Sequence, residues 1–405
     1  RWYDTSSALT RIAPGFTEAQ TVDTIRLLRL NLISTLIFSL SGLAMAGLQA
    51  NQHFLLPALA PILYDVGQIF GALVLAPTEP LKFGPVRLPA FGFGVDGLVY
   101  GVIIGALLHL LIQVPGLIKY QFRWHPRVDF KESYTRKVLR LMGPRVVSML
   151  FIQLIFLAQD NLGSRLSEGS VSALTYGWWI MQVPQTLIGT SIATAILPTL
   201  SEMFSNQQFE LLKERIERAA RVMITLTVPV AIVAGMVLLP VVRLFLGLDE
   251  AGTLRVANTS QIFLLGIVGH SLVELFVRSF YALQKPRVPL IGSAFTLVVF
   301  ILLGIVLSPM LEAVGIAAAN TIAYTLQTLL LLILLRKTLP EPLRLGKTTL
   351  KSLLAAALGG AAAYAVVNWA PKLAGSLIGA VAAFGVGILL AALILRKDLR
   401  EIADL

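Results

Sequence analysis

No cysteine occurs among the 405 residues, so disulfides, thiolate ligands and thiol nucleophiles are excluded. Histidine is almost as scarce. His53, His109, His125 and His270 stand far apart, without the short spacings of a metal site. Charge is the third shortage: Asp, Glu, Lys and Arg make up only 14% of the chain. A soluble domain uses about 25%. Enzyme signatures are missing too, with neither G-x-S-x-G nor H-E-x-x-H present. "GKTT" at 346–349 resembles the end of a phosphate loop, but Glu341 stands where the loop's first glycine belongs, and the stretch opens an apolar span. The sequence therefore implies no cofactor, no metal and no catalytic centre.

What is abundant is apolar surface. Hydrophobic residues make up 56% of the chain, and the mean hydropathy is +0.79. Apolar runs of about 20 residues recur, the length that crosses about 30 Å of hydrocarbon at 1.5 Å per residue. Segments of about 10 alternating residues, the mark of a membrane barrel, do not occur. The expected fold class is an all-α polytopic membrane protein of about eleven spans: 24–48, 55–77, 95–118, 138–160, 170–200, 220–245, 256–282, 288–309, 313–335, 348–369 and 375–395. A short amphipathic stretch, "QQFELLKERIERAARV", reads as a helix lying in the interface between the fifth and sixth spans.

The net charge of +11 does not point to nucleic acid, because the basic residues sit between spans, where topology signals belong. Leaving out Arg26, Arg29, Arg145 and Arg278, and counting Arg140, Arg221, Arg243 and Lys351 at span ends with the adjoining loops, the loops after odd-numbered spans and the C-terminal tail hold 21 Lys and Arg. The N-terminal segment and the remaining loops hold 8. The excess places the C-terminus in the cytoplasm. The richest loop, "KYQFRWHPRVDFKESYTRKVLR", is then cytoplasmic and in reach of anionic lipid.

The chain also repeats itself. "ALQKPRVPLIG" at 282–292 echoes "ANQHFLLPALA" at 50–60, an offset of 232. "VGIAAANTIAYTLQTLLL" at 314–331 echoes "DGLVYGVIIGALLHLLIQ" at 96–113, an offset of 218. A Pro-rich insert near 78–93 accounts for the difference. Spans 1–3 thus resemble spans 7–9 in the same orientation, as in transporters built from parallel repeats. Spans 4–6 precede the second repeat, so three further spans are expected before the first.

Ionisable groups within spans are costly and face a bundle interior or a cavity. His270, Glu274 and Arg278 follow at intervals of four in span 7 and form one stripe, read either as a structural ion pair or as a coupling or substrate site. Span 4 carries Arg145, Met149, Gln153, Phe156 and Asp160 on one face, with Arg145 able to snorkel to the cytoplasmic end. Asp65 in span 2 reads as a proton or cation site, or as a hydrogen-bonded structural carboxyl. Arg26 and Arg29 read as interfacial anchors. The stretch "GSVSALTYGWWIMQVPQ" at 169–185 places Trp178 and Trp179 side by side near mid-membrane, which argues against an interfacial belt and leaves cavity wall or core packing.

Three stretches carry a family likeness. "APGF" at 13–16, "RSFYALQKPRVP" at 278–289 and "GSVSALTYGWWIMQVPQTLIGTSIATAILPTLS" at 169–201 together resemble the MviN/MurJ family of lipid II flippases, within the multidrug/oligosaccharidyl-lipid/polysaccharide exporter superfamily. The resemblance implies a two-lobe helical bundle of fourteen spans, of which this chain would hold spans 4–14. It divides the chain into 1–118, the rest of an N-terminal lobe; 119–338, a C-terminal lobe; and 339–405, a two-helix hairpin with a groove for a lipid tail. It also implies alternating access in a bacterial cytoplasmic membrane, with a lipid-linked oligosaccharide, membrane lipid and cell-wall synthesis proteins as partners. Arg145, Gln153, Trp178, Trp179 and Arg278 become candidates for a central cavity, and Asp65, Asp160, His270 and Glu274 candidates for ion coupling. Trp179 stands where the family's motif has an arginine. An indole stacks on a sugar but does not neutralise pyrophosphate as a guanidinium does. The alternatives are an ion-coupled exporter of another substrate and a membrane scaffold descended from a flippase.

Overall fold

The structure, a computed structural model, describes residues 13–51, 53, 55–83, 86–121, 133–369 and 377–399, and at 50, 82, 83, 86, 133–145, 148, 377 and 397 it describes the backbone alone. The chain divides into two compact units: unit 1, in the main Phe16–Lys131, and unit 2, Ile12–Gly15 with Glu132–Leu405.

Unit 1 is built from α1 (Glu18–Ala50), α2 (Leu55–Phe70), α3 (Val95–Leu111) and the short α4 (Val114–Lys119). Thr17 caps α1 through a reciprocal pair of bonds with Gln20, which satisfies two backbone donors at the helix start. α2 and α3 pack at backbone distance: a Cβ on Gly67 would lie 2.3 Å from the Cα of Gly105. Small residues are how helices associate where lipid removes the hydrophobic drive. The Pro-rich insert forms a two-residue hairpin, β1 (Lys82–Phe83) with β2 (Val86–Arg87). The segment after β2 bonds back onto the end of span 2, Phe91 N–H to the Val74 carbonyl and Phe93 N–H to that of Leu75.

Unit 2 holds α5 (Ser133–Gly163), α6 (Ser170–Gln185), α7 (Ser191–Ser205), α8 (Phe209–Leu246), α9 (Glu250–Ala282), α10 (Arg287–Arg336), α11 (Gly346–Trp369) and α12 (Leu377–Leu399). Among the described residues nine helices are long and apolar enough to cross a bilayer. α10 is two spans joined by a turn at Glu312. Counting both, and adding the 31-residue α5, recovers the eleven expected. Leu36, Leu187, Met310 and Ile378 are each more than two-thirds exposed, a surface suited to lipid rather than water.

One expectation is corrected. The stretch 207–222 is not a separate helix in the interface. From Phe209 onward it is the first third of α8, which continues unbroken to Leu246. Its amphipathic pattern arises because Leu212, Ile216, Ala219 and Ala220 join the main core, while the intervening charges pair among themselves. Glu217, buried in that stretch, holds Lys213 at 3.3 Å and accepts from Arg221.

The repeat is visible in the backbone. Gly94, before α3, has φ 56° and ψ −134°. Glu312, at the predicted offset of 218, has φ 52° and ψ −134°. Three residues later, Gly97 and Gly315 each press their backbone against the end of the preceding span, where a Cβ would collide. That conformation belongs almost wholly to glycine. Glu312 adopts it without glycine's freedom and is held by Ser167, whose hydroxyl donates to its carboxylate at 2.7 Å.

Candidate functional site

α6 sets the geometry. Pro184 lacks an N–H and interrupts the helix ladder, and the next turn, Thr186–Thr190, widens to a π turn before α7 resumes. The carbonyl of Thr190 accepts a bond from Arg278 of α9 at 3.2 Å. Arg278 also pairs with Glu274 at 3.1 Å, so the stripe expected on span 7 does contain an ion pair, and one of its members secures the break in span 5. Gly189 lets the two spans touch, since a Cβ there would run into Ser271.

Adjacent residues on a helix point about 100° apart, and this separates the two tryptophans. Trp178 turns inward, with edge-to-face contacts to Phe156, Phe263 and His270 at 5.2, 6.0 and 5.4 Å. Trp179 lies on the surface of unit 2, 60% exposed, with an edge contact to Tyr176. Core packing is therefore excluded for Trp179.

Inside unit 2, helices α5, α6, α9 and both halves of α10 line a partly open cavity of about 250 Å³. Three of its walls follow one rule, polar or aromatic residues repeated on a single helix face. α6 contributes Trp178, Gln182 and Gln185; α9 contributes His270, Glu274 and Tyr281; the second half of α10 contributes Tyr324 and Gln327. His270 stacks on Tyr324 with ring centres 3.7 Å apart. Its Nε2 lies 3.0 Å from Asn320 Oδ1, an acceptor, so that nitrogen carries the hydrogen. Gln327 is 3% exposed and its Oε1 accepts no hydrogen bond.

The remaining candidates fall elsewhere. Gln153 and Asp160 lie on an exposed face of α5, where Ile152 and Ile155 supply the cavity wall instead. Asp65 is exposed on α2 in unit 1. The side chain of Arg145 lies outside the described residues. Arg26, read as an anchor, pairs with Asp96 of α3 at 3.2 Å. Among the described residues no cluster of three His, Asp or Glu could hold a metal. Sequence reasoning missed Gln182, Gln185, Tyr324 and Gln327. Their signal was the spacing 178, 182, 185 and 320, 324, 327, an i, i+4, i+7 polar face inside an apolar run.

The family model for MurJ, described as lipid II flippase MurJ, matches residues 8–381. The chain belongs to the MurJ family. Similar relatives include lipid II flippase MurJ of Burkholderia cenocepacia, 28% identical over 306 residues, which are 74% of this chain and 57% of the relative. The probable lipid II flippase MurJ of Rhizobium meliloti is 26% identical over 88% of this chain and 66% of its own length. That of Thermotoga maritima is 30% identical over 68% and 52%. The chain thus spans little more than half the length of several curated relatives. A solved structure, lipid II flippase MurJ in an inward closed conformation, shares the fold with a TM-score of 0.74 at 19% identity, covering 98% of this chain and 78% of that one. The protein is a multi-pass membrane protein of a flippase family.

Proposed function

We propose that the chain takes part in moving a lipid-linked cell-wall precursor, an undecaprenyl-pyrophosphate sugar, across the bacterial cytoplasmic membrane by alternating access, with its C-terminus in the cytoplasm and no bond-making chemistry of its own. In this reading 1–118 belongs to an N-terminal lobe, 119–338 is the C-terminal lobe, and 339–405 receives the lipid tail. Cell-wall synthesis proteins are its natural partners. The observation that carries the reading is the polar cavity of unit 2. Apolar helices need no ion pair, stacked imidazole or row of amides to pack in lipid, and polar groups kept at that depth mark a path for a polar cargo. Trp178, Arg278, His270 and Glu274 serve cargo handling and coupling in this account. Arg145, Gln153, Trp179, Asp65 and Asp160 act from other surfaces.

The test is translocation of fluorescent lipid II in proteoliposomes containing the 405-residue chain. Transfer above that of empty liposomes, reduced by Glu274→Ala, is expected. Transfer equal to empty liposomes would leave the scaffold reading, which Trp179 at the family's arginine position favours.

A further inference from the structure

We infer that the cavity of unit 2 is a subsite for one neutral sugar ring. The inference rests on the transport reading for the source of that sugar, while the chemistry of the site stands on the cavity itself. Glu274 is balanced by Arg278 at 3.1 Å, so the wall carries no net charge. A pyrophosphate there would meet the Glu274 carboxylate, and a cation would compete with Arg278, which already holds that carboxylate from outside the lining. The other polar groups are the His270 imidazole and several amides and hydroxyls, among them Gln182, Gln185, Gln327 and Ser293. These donate and accept without selecting a charge.

Sugars combine hydroxyls around the rim with an apolar C–H face. A wall that sets an indole beside amides matches both, because aromatic rings offer rigid apolar surface next to polar contacts. Three edge contacts hold the Trp178 indole in one orientation. Gln327 supplies an independent pointer. It lines the cavity, is 3% exposed, and its Oε1 accepts no hydrogen bond. A buried carbonyl oxygen left without a donor is rare, and a sugar hydroxyl supplies one. Size limits the ligand. The cavity of about 250 Å³ falls below the roughly 300–1,000 Å³ of pockets for drug-sized molecules, so it holds about one ring, and any further part of the ligand lies outside its open side.

The test uses the 405-residue chain in lipid nanodiscs, with N-acetylglucosamine as probe and saturation-transfer NMR with titration as the readout. Binding by the parent chain is expected. Gln327→Leu should weaken it about five- to tenfold, the worth of one or two hydrogen bonds. Ser293→Trp, which fills the cavity without removing a buried partner, should abolish it while thermal unfolding stays cooperative. No saturation transfer to the parent chain would overturn the inference. So would binding indifferent to both substitutions, or binding displaced competitively by sodium chloride, which would make this a cation site. Sugar binding in a chain that fails to translocate lipid II would uphold the inference and defeat the transport reading. Translocation without sugar binding would do the reverse.

Discussion

Replacing Glu274 by alanine should destabilise the protein more than its own contacts suggest, because it strands Arg278. A fully buried ion pair broken on one side costs about 3–5 kcal/mol. Here the side chains are 39% and 20% exposed, and Arg278 keeps its bond to the Thr190 carbonyl. Screening at the more open carboxylate and that second acceptor lower the figure to the range of one charge-assisted hydrogen bond, about 1.5–2 kcal/mol. Glu274→Gln keeps an acceptor and should lose about half as much. Arg278→Met should loosen the π turn as well, since it frees the Thr190 carbonyl. The decisive quantity is the coupling in a cycle of Glu274→Ala, Arg278→Met and the double variant, read from equilibrium unfolding in mixed micelles by tryptophan fluorescence. A coupling of about 1–2 kcal/mol is expected for two groups in contact. Additivity within about 0.5 kcal/mol, the behaviour of distant sites, would refute the argument that the two act as a unit.

Four other substitutions probe separate parts of the account. Trp179→Arg lies on an exposed face, so stability should change by less than about 0.5 kcal/mol, while binding of a lipid-linked pyrophosphate should tighten about ten- to a hundredfold. Titration with lipid II checks this, and unchanged affinity would show that the position does not meet pyrophosphate. Glu217→Ala removes a buried carboxylate shared by Lys213 and Arg221 and should cost about 3–5 kcal/mol in the same micelle assay; a loss under about 1 kcal/mol would contradict it. Glu312→Gly gives up the bond from Ser167 but relieves about 1–3 kcal/mol of backbone strain, so it should stay within about 1 kcal/mol of the parent. Ser167→Ala, which loses the bond and keeps the strain, should be the less stable of the two.

Hydropathy made the spans legible, because in lipid every backbone group must be satisfied within the helix and apolar length alone marks a crossing. The parallel repeat was legible as well, and its offset of 218 pairs Gly94 with Glu312, whose backbones share one conformation; that conformation itself was not legible, because glutamate rarely adopts it. The fate of 207–222 was not. An amphipathic helix lying in an interface and one that starts a buried helix share one pattern, and only the packing of Leu212 and Ile216 into the core separates them. The site was half legible. Charge drew attention to His270, Glu274 and Arg278. The neutral members, Gln182, Gln185 and Gln327, carry no such flag, and a lone amide in an apolar run looks like a packing bond until three helices bring several together. The charged face of span 4 is a different surface from the one that lines this cavity. Gln153 and Asp160 do share a face, but Ile152 and Ile155 are the residues that meet the cavity.

The central claim is that this chain handles a sugar carried on a lipid pyrophosphate. Native mass spectrometry of the 405-residue chain, released from nanodiscs containing a trace of lipid II in phosphatidylglycerol, tests it most directly. The account predicts that one lipid II is retained in preference to the bulk lipid, and that Glu274→Ala and Ser293→Trp reduce this retention. Retention of lipid II in mere proportion to its abundance, the same in all three proteins, would contradict it.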